Sequence, residues 1–87
     1  MGGASVYEQA REALHRLEGA LAQARARPAD VVQTRIYLTD VERWEEVARA
    51  HREVFAEVRP AAAMVAVAAL IEPRLLVEIE AVALAPG

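Results

Sequence analysis

The sequence predicts a small α+β domain, a mixed β-sheet with two helices packed on one face. Three observations predict it. Apolar residues recur at helical spacing from Val6 to Ala24 and again from Val41 to Phe55. Apolar and polar residues alternate across two segments, Asp30–Asp40 and Leu75–Leu84. Between them an unbroken apolar run, Ala61–Leu70, follows a proline. The order is therefore helix, strand, helix, strand, strand. A strand, helix and strand in succession predict a right-handed parallel crossover, and the short Ile71–Arg74 loop predicts an antiparallel pair of the last two strands.

Each element has a local cause. The first helix places Val6, Ala10, Leu14, Leu17 and Leu21 on one stripe, with Ser5 and Glu8 spaced as a capping box at its start. Its opposite face, with Glu8, Glu12, His15, Arg16, Glu18 and Arg25, reads as solvated surface. Arg27-Pro28 ends it, because a residue before proline avoids the helical region. In the first strand Val32, Thr34, Ile36 and Leu38 alternate with Val31, Gln33, Arg35 and Tyr37. Thr39 and Asp40 are alternative N-caps for the second helix, whose stripe of Val41, Trp44, Val47, Ala48, His51, Val54 and Phe55 runs to about Glu57. Trp44 reads as a core anchor and His51 as a packed histidine. Alanine favours helix in the Ala61–Leu70 run. Strand is preferred because Pro60 resets the chain, Val65 and Val67 are β-branched, and Glu72-Pro73 makes a turn. The last strand sets Glu78 and Glu80 on one face, against Leu75, Val77, Ile79 and Ala81 on the other.

The 87 residues suffice for one domain, 1–87, which at this size buries only about 60–65% of the surface of its unfolded chain. With no cysteine there is no disulfide and no thiolate chemistry. Two helices cover one face of a three-stranded sheet, so a partner subunit is the simplest cover for the other. A net charge of -3 and an even scatter of Lys and Arg argue against nucleic-acid binding. No run approaches the roughly 18 apolar residues of a membrane span, and MGGASVYEQ is unlike a signal peptide, so a cytoplasmic location is expected. No histidine or cysteine stands at metal-ligand spacing, and no Gly-rich phosphate loop or G-x-S-x-G elbow occurs, so no cofactor is expected.

The blocks DVVQTRIYLTDVERWEEV, VFAEVRPAAAMVAVAAL and LVEIEAVAL resemble, in order and spacing, successive blocks of the RidA/YjgF family, and YEQAREALHRLEGAL is similar to its first long helix. The most specific pieces are RPA before a V-x-V strand and the closing V-E-I-E-A-V-A. The resemblance implies a chorismate-mutase-like fold, homotrimers with sheets inward and clefts between subunits, and hydrolysis of enamines or imines to keto compounds and ammonia. Glu78 matches the glutamate that holds the attacking water, and the backbone N–H of Met64 matches a ligand contact. Two departures stand out. Members ordinarily have a pair of strands before the first long helix, so a domain truncated at the N-terminus, cut at the Met1-Gly2-Gly3 loop, is expected. Where active members read P-A-R-S, this chain reads Pro60-Ala61-Ala62-Ala63, and Ala62 stands in place of the arginine that holds the substrate carboxylate. Losing such a contact costs on the order of 2–5 kcal/mol of binding. Arg59 is the nearest remaining arginine and the candidate substitute anchor. The alternative function is a non-catalytic trimeric module that binds a small metabolite or a protein partner.

Overall fold

The computed structural model describes residues 5–84, and the first of them caps a helix. Ser5 Oγ accepts the N–H of Glu8 at 3.1 Å, and the Glu8 carboxylate accepts the N–H of Ser5 at 3.2 Å. Two orphan donors are thereby satisfied at the start of α1 (Val6–Gln23). Its far end closes in a Schellman turn, with Ala26 N–H donating to Leu21 O at 2.8 Å and Arg25 N–H to Ala22 O at 3.0 Å. Arg25 sits in the left-handed region at φ 61°, where a Cβ costs roughly 1–2 kcal/mol. Arg25→Gly is therefore expected to stabilise the chain by about 0.5–1 kcal/mol, raising the thermal midpoint by about 2–8 °C in a melting experiment.

A 3₁₀ turn (Pro28–Asp30) leads into β1 (Val31–Leu38), and a second one (Val41–Arg43) into α2 (Trp44–Phe55). Asp40 caps that turn by accepting the Glu42 N–H at 3.2 Å. After α2 come β2 (Ala61–Ala66) and β3 (Val77–Ala83). The sheet order is β2-β1-β3, with β2 parallel and β3 antiparallel to β1. The parallel β1-α2-β2 succession and the mixed sheet agree with the sequence.

Four details differ from it. The last two strands are not neighbours: β1 lies between them, and the connection from Val67 to Leu76 crosses the end of the sheet instead of forming a hairpin. The apolar run stops pairing at Ala66, six residues into the segment. A register irregularity between Val31 and Gln33 turns Val31 into the core and leaves Val32 44% exposed, the reverse of simple alternation. Trp44 is 49% exposed and lies outside the core, because no described element covers the side of α2 that faces the β2 edge.

The core lies between the helices and one face of the sheet. Val6, Ala10 and Leu14 of α1 meet Val47, Ala50 and Phe55 of α2 over Ile36, Leu38 and Val77. Tyr7 ties the helices together, donating its hydroxyl to Glu53 at 2.7 Å while the Arg49 guanidinium lies 4.0 Å over its ring. That hydrogen bond raises the phenol above its ordinary range. Gln9 reaches from α1 to the last connection, where its amide donates to Arg74 O at 3.1 Å and accepts Leu76 N–H at 2.7 Å. This fixes the entry to β3 two residues before Glu78. The opposite face of the sheet carries Arg35, Tyr37, Val65, Glu78, Glu80 and Val82, and no described element packs on it. Val65 and Val82 are 42% and 52% exposed there. The Met1-Gly2-Gly3 loop reading lies outside the described residues.

Candidate functional site

Register assigns each candidate to a face. Tyr37 is flanked by Glu78 and Arg35 by Glu80, so both glutamates stand on the uncovered face. Tyr37 Oη donates to Glu80 Oε1 at 3.0 Å, and Arg35 Nη1 lies 3.5 Å from the same oxygen. Glu80 is thus paired with a basic residue of its own chain. Among the described residues the Glu78 carboxylate has no hydrogen-bond or ion-pair partner. It borders a shallow hollow of about 420 Å³ with Tyr37, Leu70, Ile71 and Glu80. A carboxylate held open beside a tyrosine and an anchored neighbour can accept a proton from water.

The second feature is a groove of about 430 Å³ on the helix face, between α2 and the edge strand β2. Leu38, Val41 and Trp44 form one end, and His51, Arg52 and Ala62 form the other. Register fixes these ends: Thr34 pairs with Ala62 and Leu38 with Ala66, and His51 reaches Thr34. Met64 lines the middle, opposite Ile36. Val67 N–H donates to Leu38 O at 2.9 Å, and N–H directions alternate along a strand. The N–H groups of Ala62, Met64 and Ala66 therefore point away from β1, to the free edge.

Glu78 and Met64 do not meet within one chain. They occupy opposite faces of strands separated by β1, about 10 Å apart. Arg59 is exposed in the turn between α2 and β2, at φ 54°, and does not line the groove. The arginine that does is Arg52, which sequence reasoning passed over. Its signal was helical spacing: Trp44, Ala48 and Arg52 recur every four residues along one side of α2.

His51 joins core and groove. Its Nε2 shares a 2.9 Å hydrogen bond with Oγ1 of the fully buried Thr34, and its ring packs 4.8 Å from Phe55. Partial burial lowers the His51 pKa below the ordinary value, since the charged ring loses hydration. The unfolded chain then binds this proton more readily, so the contribution of His51 is complete above about pH 6.5 and declines as the pH falls below it. Urea unfolding at pH 7.5 and pH 5.5 is expected to show lower stability at pH 5.5, with the difference reduced in His51→Gln.

Among the described residues no helix is long and apolar enough to cross a membrane. The family model described as Endoribonuclease L-PSP matches residues 1–85. An uncharacterized protein of Streptomyces coelicolor is 33% identical over 79 residues, 91% of this chain and 59% of that protein. The chain thus spans about three fifths of that relative's length. A crystal structure of a member of the YjgF/YER057c/UK114 family from Mycobacterium tuberculosis is 56% identical, with a TM-score of 0.88 over 91% of this chain and 67% of that one. The YjgF gene product of E. coli is 30% identical, with a TM-score of 0.84 over 92% of this chain and 65% of that one. The match over nearly the whole chain, together with the shared helix-backed mixed sheet, means that the chain belongs to the RidA/YjgF family.

Proposed function

We propose that this chain is a subunit of a homo-oligomer, in trimer form, that hydrolyses reactive enamine or imine intermediates to keto compounds and ammonia. The observation that supports it most is the contrast between the two glutamates. Glu80 is tied by Tyr37 and Arg35, whereas Glu78 beside them is unpartnered among the described residues on a sheet face that no described element covers. In the reaction, Glu78 accepts a proton from water as its oxygen bonds to the imine carbon. The C=N electron pair moves to nitrogen, which is protonated, and the tetrahedral amino-alcohol collapses with loss of ammonia. The outward N–H of Met64 is a donor for the ligand. Since Glu78 and Met64 lie on opposite faces within one chain, a site using both takes Glu78 from one subunit and the groove from its neighbour. Trimer clefts would also cover Val65 and Val82.

The test is ammonia release from 2-iminopropanoate generated in situ. Acceleration above the buffer rate is expected, and its absence over a range of protein concentrations would refute hydrolysis of that substrate. One observation favours a second reading, a binding module without turnover. Ala62 offers only a methyl group at the groove end where family resemblance implies the substrate-holding arginine. That reading predicts a stable oligomer and saturable ligand binding with no ammonia released.

A further inference from the structure

The groove beside Ala62 has an uneven charge distribution. Its walls are apolar over most of their length, from Leu38, Val41 and Trp44 to Met64. Among the described residues no acidic side chain lines it and Arg52 is its one charged lining residue, in a chain whose net charge is -3. Among the described residues the Arg52 guanidinium makes no ion pair or hydrogen bond, so no neighbouring carboxylate neutralises the charge it brings to the groove. Arg52 also stands at a determined end. His51 reaches Thr34, whose register partner is Ala62, so the cation lies where β2 contributes only alanines. Trp44 is eight residues earlier on the same helix, so its backbone lies about 12 Å from that of Arg52 along the helix axis.

We infer that Arg52 is the anion anchor of this groove, and that the groove takes a small carboxylate with an unbranched apolar body, its head at Arg52 and its tail toward Trp44. The volume of about 430 Å³ is large enough to admit such a ligand. The apolar walls favour the tail, and a planar guanidinium with free N–H groups favours a carboxylate head over a neutral amide. The anchoring cation then comes from α2 instead of from the strand position occupied by Ala62. This deepens the hydrolytic reading and rests on it for the groove's being a ligand site, yet binding at Arg52 needs neither Glu78 nor turnover.

Trp44 is the single tryptophan of the chain and lines the groove, so its fluorescence reports occupancy. Hexanoate and its neutral isostere hexanamide are titrated into the whole protein, into Arg52→Gln and into Arg59→Gln, with circular dichroism confirming that each variant is folded. Hexanoate is expected to saturate the Trp44 signal and to bind roughly tenfold or more tightly than hexanamide. Arg52→Gln is expected to weaken hexanoate by about the same factor and leave the two ligands equal, while Arg59→Gln stays within about twofold of the unaltered chain. No saturable response to hexanoate, equal binding of acid and amide by the unaltered chain, or loss of discrimination in Arg59→Gln instead of Arg52→Gln would each overturn the assignment. Binding with these signatures but without ammonia release would reject the hydrolytic reading alone.

Discussion

Phe55→Ala is expected to cost about 3–5 kcal/mol of stability, the largest single loss available in this fold. Phe55 is 2% exposed at the last turn of α2, and its ring lies against His51, which in turn reaches Thr34 of the central strand. Truncation removes the apolar area and leaves a cavity that the short core cannot readily collapse, since α2 is held from both sides by α1 and the sheet. A domain of 87 residues has roughly 4–13 kcal/mol in total, so the variant should be largely unfolded in modest urea. Trp44→Ala is the control: the larger side chain is 49% exposed, and its removal should cost less than half as much. Urea titration of both variants measures the comparison directly, and equal losses would mean that Trp44 belongs to the core after all.

Glu78→Gln is expected to reduce imine hydrolysis by about 10²–10⁴-fold while leaving the fold unchanged. The substitution is nearly isosteric on an exposed position of β3, so thermal stability should stay close to that of the unaltered chain. What it removes is the ability to accept a proton from attacking water. Glu80→Gln should act differently, loosening the contacts to Tyr37 and Arg35 and reducing the rate by less than about tenfold through altered positioning of the site. Initial rates of ammonia release from the two variants separate these roles. Comparable losses in both would assign the pair jointly to the chemistry.

The elements of the fold were legible wherever their signals were local. Ser5 and Glu8 announced the first helix, and both halves of the capping box are present. The alternation of Val77, Glu78, Ile79 and Glu80 placed both glutamates on one face, and register agrees. What escaped the sequence was nonlocal. The loop length between the last two strands suggested a hairpin, but β3 pairs with β1, the strand whose Thr34, Ile36 and Leu38 supply the central part of the core. Burying β1 between two neighbours satisfies both of its edges, and no periodicity in the last segment records that preference. Trp44 misled for a related reason: helical spacing shows which residues share a stripe, but not how far the facing sheet extends beneath it. The same limit concealed Arg52, whose place in the groove is set by which strand lies beside α2. The count of elements did carry one tertiary inference, that two helices cover one sheet face, and no described element packs on the other.

That uncovered face is where a single chain and an assembly differ most. The proposed assembly has copies of the chain completing one another: it would cover exposed Val65 and Val82, meet the β2 and β3 edges that no described strand pairs, and bring together Glu78 and Met64 from opposite faces. Sedimentation equilibrium of the protein at micromolar concentration tests this most directly. A single species at three times the 9.5 kDa chain mass is the predicted result, and a species at 9.5 kDa with no concentration dependence would contradict it.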